Sequence, residues 1–295
     1  MKKQTKVWLI LAIGLSLLTL GSACKSGGGD ETNKSGAGSG GNAVAYSGAT
    51  GTVSGVISFN GTPPTPKKID SSADPVCGQR NPNLETEDTV VKDGKLANVF
   101  VYIKDGTTTD GKKLGDFKWD PPTTAVTLDQ NGCHYRPHVL GIQVNQKLSI
   151  TNSDPTQHNI HPTPANNPEW NQSQPNGAPP IEKTFARSEV VIPVKCNQHP
   201  WMKSYIGVLK TPFFAVTAPD GSFTLPKVPA GTYTVAAWRE GGAKGTEKTM
   251  SVKVDANGTA KADFTFDAAP AAAASQPGAL EVMPAIEFPM LGRHH

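Results

Sequence analysis

Short runs of apolar and β-branched residues, separated by clusters of Gly, Pro and polar residues, fill the middle of the chain. No long stretch repeats its apolar residues at helical spacing. The runs predict strands at residues 52–59, 98–104, 125–128, 141–144, 148–152, 189–194, 205–209, 213–217, 221–225, 231–238, 249–254 and 262–266. Many short strands separated by turns are typical of β-sandwiches, so the pattern predicts an all-β protein.

The beginning of the chain has a different pattern. Lys2 and Lys3 precede an apolar run, Val7–Leu20, and small residues then lead to Cys24, so residues 1–23 predict a secretory signal peptide. The small residues indicate a lipoprotein cleavage site with diacylglycerol on the Cys24 thiol, and an ordinary signal peptidase site is the alternative. We therefore expect an exported protein, in the periplasm or at the outer membrane, that its N-terminal lipid anchors to the membrane.

Two segments lack the composition of a packed core. Residues 24–50 are rich in Gly and Ser and predict a flexible, disordered tether. Residues 268–295 begin as an Ala/Pro-rich tract and predict a disordered tail, and the apolar and acidic second half of that tail is equally compatible with a docking segment. The formal net charge of +3 is too small to indicate a nucleic-acid partner.

Side chains that bind soft metals are concentrated in one short segment. Cys196, His199 and Met202 lie at positions i, i+3 and i+6, and His158 lies on an earlier segment. A thiolate and two imidazoles with a weak axial thioether form the donor set of blue-copper sites. Residues at this spacing can converge on one ion from a tight turn between strands.

This loop resembles the cupredoxin family, in particular its amicyanin type, in the pattern C-x2-H-x2-M followed by Lys203 and the apolar run Tyr205–Leu209. Residues 148–161 are similar to the cupredoxin strand that ends in the first ligand. The resemblance covers residues 123–212 and implies a Greek-key β-sandwich with one type 1 copper. The implied copper ligands are His158, Cys196, His199 and Met202.

The resemblance also implies roles for the residues around the copper. Asn159, directly after the first ligand, would tie the ligand loops together. Electrons would enter through the edge of His199, at a rim formed by Pro162, Pro164, Pro200 and Trp201. Four protein donors leave copper no open position, which favours one-electron transfer over catalysis, so no enzyme activity is expected.

The expected partner is a redox protein such as a cytochrome c or a membrane oxidoreductase. The alternative is a protein that binds or delivers copper, or a structural binding module whose cupredoxin domain has no redox role.

The chain after the copper loop has its own signature, in which Asp220-Gly221 predicts a tight turn between two strands. Together with the Gly-rich run at 51–61, this part resembles the carboxypeptidase regulatory-like module, a small transthyretin-like β-sandwich. The expected layout places that module at 51–122 and 213–267, on either side of the cupredoxin domain. Three consecutive β units are the alternative.

Cys77 and Cys133 remain once Cys24 and Cys196 have been assigned to lipid and to copper. In an oxidising compartment an even remainder indicates a disulfide. Two unpaired buried thiols are the alternative.

Overall fold

The computed structural model describes residues 43–241 and 245–268. The predicted signal peptide, Cys24 and the first part of the tether lie outside these ranges, as does the tail beyond Ala268 with its predicted docking segment. Within the two described ranges, no helix is long and apolar enough to cross a membrane.

Strands dominate the described part of the chain, and the predicted all-β class is confirmed. In chain order the strands are β1 (Thr50–Asn60), β2 (Val91–Lys92), β3 (Lys95–Leu96), β4 (Phe100–Thr108), β5 (Val126–Gln130), β6 (Tyr135–Arg136), β7 (Val139–Gln143), β8 (Leu148–Asn152), β9 (His158–Pro162), β10 (Gln172–Gln174), β11 (Ile181–Lys183), β12 (Glu189–Lys195), β13 (Lys203–Leu209), β14 (Phe214–Val216), β15 (Ser222–Pro229), β16 (Gly231–Arg239), β17 (Thr246–Val254), β18 (Thr259–Lys261) and β19 (Phe264–Asp267). The helical elements are α1 (Pro75–Arg80) and a 3-10 turn, Leu114–Asp116.

One sandwich, which we name the split sandwich, uses strands from both ends of the described chain. Its first sheet has the order β15-β1-β3-β2, and β18 and β19 pair with β1 in parallel. Its second sheet has the order β14-β4-β16-β17. Every second residue of β1 is buried, and Val53, Ile57 and Phe59 enter the core. The alternation in the sequence thus becomes the two faces of a central strand.

The other sandwich, the inserted sandwich, consists of β5 to β13, which all lie between β4 and β14 in the chain. Its sheets have the orders β10-β9-β12-β13-β7 and β11-β8-β5-β6. One core cluster joins Leu128 and Ile150 of the smaller sheet to Ile192 of the larger sheet. Cys196 and Met202 belong to the same cluster, so the predicted metal loop is part of the core.

The two sandwiches contact each other through Phe100 of β4, which is fully buried. Gly141 of β7 and Gly207 of β13 are register partners in a parallel pair. A Cβ atom added to Gly207 would lie 2.3 Å from the Phe100 ring, and one added to Gly141 would lie 2.8 Å from it. The two glycines therefore leave the space that this aromatic ring fills.

Each predicted strand overlaps a strand of the structure. The sequence pattern does not predict β9, because its residues are polar apart from one Ile and a terminal Pro. It does not predict α1 either, since six residues are too few to show helical periodicity. The domain boundaries drawn from the sequence stay a prediction.

Candidate metal centre

Three adjacent strands bring the predicted ligands together. His158 begins β9, Cys196 directly follows β12, and His199 and Met202 precede β13. Since β12 pairs with both β9 and β13, the strand ends that carry these residues lie side by side. Hydrogen bonds from Met202 N to His199 O (2.9 Å) and from Cys196 N to Met202 O (3.2 Å) close the loop between β12 and β13.

The donor atoms converge in a buried space. The Nδ1 atoms of His158 and His199 are 2.8 Å apart, and Cys196 Sγ lies 3.8 Å from His199 Nδ1. His158 is 0% exposed, Cys196 1% and His199 5%. Met202 is also fully buried, in the same core cluster as Cys196. The fold thus assembles the three strong donors and places the thioether in the core around them.

Asn159 connects the two segments that carry the ligands. Its Oδ1 accepts hydrogen bonds from the backbone N–H groups of Asn197 (2.7 Å) and Gln198 (3.4 Å), and Cys196 Sγ lies 3.3 Å from the same oxygen. Its side-chain amide donates to Asn171 Oδ1 (2.7 Å), which fixes the orientation of the group. The residue directly after His158 therefore holds the loop that contains Cys196.

The thiol and the imidazoles stabilise each other's charged forms. Burial opposes a thiolate at Cys196, but hydrogen bonds with His158 and His199 outweigh it and lower the thiol pKa to about 6. Burial likewise opposes a charge on His158, yet hydrogen bonds with Asp154 and Cys196 raise its pKa to about 9. A thiolate is the form that binds metal, so the site favours the metal-binding form of Cys196.

Two carboxylates bind the outer nitrogens of the imidazoles. Asp154 Oδ2 lies 3.0 Å from His158 Nε2, and Asp74 Oδ2 lies 2.9 Å from His199 Nε2. Burial raises the pKa of each carboxyl, but the bonds from the imidazole and from backbone N–H groups outweigh it and leave the pKa below its usual range. The sequence does not predict either aspartate. The four-residue spacing of Asp154 and His158 is a weak local signal, and Asp74 has none.

The donor set fits a copper ion. Two imidazoles and one thiolate are the soft and borderline donors that copper prefers, and Met202 lies in the same core cluster as the thiolate residue Cys196. The donor atoms of His158, Cys196 and His199 all lie within 4.8 Å of one another, so a single ion can reach all three.

Cys77 and Cys133, which the sequence predicts to pair, are joined by an S–S bond of 2.07 Å. Each also lies near an aspartate and one of the site histidines, in a group that could otherwise hold a metal. Because both sulfurs are in the disulfide, neither is available as a ligand, and Cys196 supplies the only free thiol among the described residues.

The predicted electron-entry rim is partly covered. In order of increasing exposure its residues are Pro162 (buried), Pro164 and Trp201 (half-buried) and Pro200 (exposed). The Trp201 ring centroid lies 5.1 Å from that of His199. Asp74 covers the outer nitrogen of His199, and entry of electrons through that edge stays a prediction.

Residues 198–262 match a family model described as polysaccharide lyase family 4, domain II. The match contains His199 and Met202 and continues through β13 to β18. It is a different family from the carboxypeptidase regulatory-like module, whose assignment stays a prediction. A search of curated proteins found no match.

Several solved structures of copper proteins and cupredoxins are similar to parts of the chain. A Cu-containing nitrite reductase from Thermus scotoductus SA-01 is 21% identical with a TM-score of 0.27, over 35% of this chain and 25% of that protein. An oxidised amicyanin variant is 21% identical with a TM-score of 0.26, over 28% of this chain and 81% of amicyanin. A purple cupredoxin from Nitrosopumilus maritimus is 23% identical with a TM-score of 0.25, over 29% of this chain and 98% of that protein.

Proposed function

We propose that the inserted sandwich binds one copper ion through His158, Cys196, His199 and Met202 and transfers single electrons to and from a redox protein. The observation that carries the proposal is the convergence of three strong donors in a space closed to solvent, with Nδ1 atoms 2.8 Å apart and Sγ 3.8 Å from one of them. When bound, copper supplies a one-electron redox couple.

The residues around the donors suit this role. Asn159 and the hydrogen bonds of the loop keep the donors in place independently of a metal. Burial of His158 and Cys196 keeps water and substrates away from the ion, so electron transfer is favoured over catalysis.

Adding Cu(II) to the purified mature protein tests the proposal. We expect an intense visible absorption from thiolate-to-copper charge transfer. Cys196→Ser should abolish that absorption and leave the circular dichroism of the fold unchanged. The matched control is His161→Ala, on the same strand as His158, because His161 binds Glu169 Oε1 (2.6 Å) and Asn197 Oδ1 (3.0 Å) instead of the donors. A wild-type protein that stays colourless, or binds copper no better than Cys196→Ser, would refute the proposal.

One observation favours a second candidate, a nucleophilic cysteine. Cys196, His199 and Asp74 form a chain of thiol, imidazole and carboxylate of the kind that activates nucleophiles. Cys196 is 1% exposed, however, so a substrate would have to open the loop to reach the sulfur. Alkylation of the metal-free protein separates the two roles. Slow reaction of Cys196 with iodoacetamide supports the metal site, and rapid, saturable reaction supports a catalytic thiol.

A further inference from the structure

Asp74 and Asp154, the carboxylates that face the outer imidazole nitrogens, each accept several hydrogen bonds that fix their orientation. Asp74 Oδ1 accepts hydrogen bonds from the backbone N–H groups of Val76 (2.8 Å) and Cys77 (3.2 Å), at the start of α1. Its other oxygen, Oδ2, accepts from the hydroxyl of Thr156 (3.0 Å) and faces His199 Nε2 (2.9 Å).

Asp154 is held in a similar way. Its Oδ1 accepts from the backbone N–H of Gly132 (2.8 Å) and pairs with Arg80 Nε (3.2 Å). Its Oδ2 accepts from the backbone N–H of Cys133 (2.8 Å) and faces His158 Nε2 (3.0 Å). The Asp154 side chain is 0% exposed.

This arrangement selects one tautomer of each imidazole. A carboxylate that already receives several N–H or O–H donors can only accept, so the imidazole nitrogen that faces it must carry a hydrogen. His199 and His158 therefore carry N–H at Nε2 and turn Nδ1 toward each other. Nδ1 is then the atom that offers a lone pair to a metal ion.

The disulfide connects the two carboxylates. The backbone N–H of Cys77 binds Asp74, and the backbone N–H of Cys133 binds Asp154. The Cys77–Cys133 bond joins these two positions, and Arg80 of α1 also reaches Asp154. A continuous path thus runs from His199 through Asp74, the disulfide and Asp154 to His158.

We propose that Asp74 and Asp154 are positioning residues of the metal centre. They hold His199 and His158 in the tautomer and orientation that present both Nδ1 atoms to one ion. Helix α1 and the Cys77–Cys133 disulfide keep the two carboxylates in place. The inference rests on the proposed metal site. It adds a part of the chain before the inserted sandwich, residues 74–80, to the machinery of that site.

A purely structural role for Asp74 makes a different prediction. As the N-cap of α1 it would need only Oδ1, and Asn is as good an N-cap as Asp, whereas Ala is much poorer. In Asp74→Asn, Oδ1 stays with the two N–H groups of α1, and the amide nitrogen takes the place of Oδ2 opposite His199. Two donors would then face each other, so His199 should shift its hydrogen to Nδ1 and lose its metal-binding lone pair.

The experiment compares Asp74→Asn with Asp74→Ala in the mature protein. For Asp74→Asn we expect roughly a 10- to 100-fold loss of Cu(II) affinity, the usual effect of removing such a partner, and a smaller loss for Asp74→Ala, in which His199 is free to choose either tautomer. The thermal midpoints of the metal-free proteins should follow the opposite order, with Asp74→Asn more stable than Asp74→Ala. Asp220→Asn is the control, because Asp220 is an exposed turn residue that binds Ser222 in the split sandwich.

A measurement without metal separates this inference from the proposed function. Imidazole 15N shifts, recorded at alkaline pH where the rings are neutral, should show N–H at Nε2 of His199 in the wild type and at Nδ1 in Asp74→Asn. If these tautomers are found and the wild type binds no copper, the positioning role stands and the proposed function fails. If the wild type binds copper while both Asp74 variants bind it equally tightly with unchanged tautomers, the positioning role is overturned.

Discussion

At the scale of single residues, Met202 has two candidate roles, packing in the core and binding copper. It is fully buried in the core cluster of the inserted sandwich, where methionine commonly fills gaps, and its loop spacing also suits a weak fourth ligand. Its backbone hydrogen bonds to His199 and Cys196 place it beside both, so one substitution can separate the roles.

Met202→Gln should keep the copper and its colour, because the thiolate and the two imidazoles are unchanged. If residue 202 is a ligand, the harder amide oxygen would stabilise Cu(II) over Cu(I) and lower the reduction potential, which voltammetry measures. If Met202 only packs, the potential should not move and the buried amide should cost about 2 kcal/mol or more of unfolding free energy. An unchanged potential would remove Met202 from the site.

At the scale of elements, the contact between the sandwiches depends on how closely β4 approaches β7 and β13. Gly207→Ala would push a methyl group into the fully buried Phe100 ring, so the ring or its neighbours would have to shift. We expect a loss of about 1–3 kcal/mol in the free energy of unfolding, as for other overpacked cores. Urea denaturation measures it, with Gly115→Ala as the control, because a Cβ there meets no atom within 4 Å. Equal stability of the two variants would contradict the close packing.

Glu240 forms a second link between the sandwiches. It follows β16 of the split sandwich, and its oxygens bind His138 Nε2 (2.7 Å), Tyr205 OH (2.7 Å) and Lys203 Nζ of the inserted sandwich. Burial raises the pKa of this carboxyl, but the three hydrogen bonds outweigh it and lower the pKa to about 2. Charged Glu240 therefore stabilises the folded protein fully above the ordinary glutamate pKa of 4.5, and this contribution is lost as the pH falls from there toward about 2.

Glu240→Gln should accordingly be less stable than the wild type at pH 7, and the difference should shrink as the pH approaches 2. Urea denaturation at a series of pH values tests this. Glu182→Gln is the control, because Glu182 forms an exposed pair with Lys147 and should show little difference at any pH. If the stability difference between Glu240→Gln and the wild type is the same at every pH, the charge of Glu240 does not contribute to stability.

At the scale of the whole molecule, we propose that the protein is exported and held at a membrane surface by a lipid on Cys24. The small residues before Cys24 and the Gly/Ser-rich tether after it support this. Lys25 follows the cysteine in place of an aspartate that would favour the inner membrane, so we expect the outer membrane.

Labelled palmitate should be incorporated into the wild type, and globomycin should block its processing. Cys24→Ser should lose the label and appear in the soluble fraction. Release of both proteins into the soluble fraction to the same extent would contradict lipidation.

The sequence by itself determined the features that arise from local patterns. Alternating residues such as Val53, Ile57 and Phe59 specify a strand with one buried face, since successive side chains point to opposite sides. The spacing of Cys196, His199 and Met202 specifies a donor loop, because a tight turn brings such positions together. An even number of remaining cysteines indicated the pair Cys77 and Cys133, which the structure joins.

Only the tertiary structure decided which groups surround those donors. Asp74 and His199 are 125 residues apart in the chain, and no periodicity or spacing connects them. Their hydrogen bond exists because α1 is held against the inserted sandwich by a disulfide and by Arg80. The Phe100 contact with Gly207 likewise depends on two sheets meeting. Local patterns report which face of an element is buried, whereas long-range hydrogen bonds and close contacts depend on where distant elements pack, and that information is absent from any single segment.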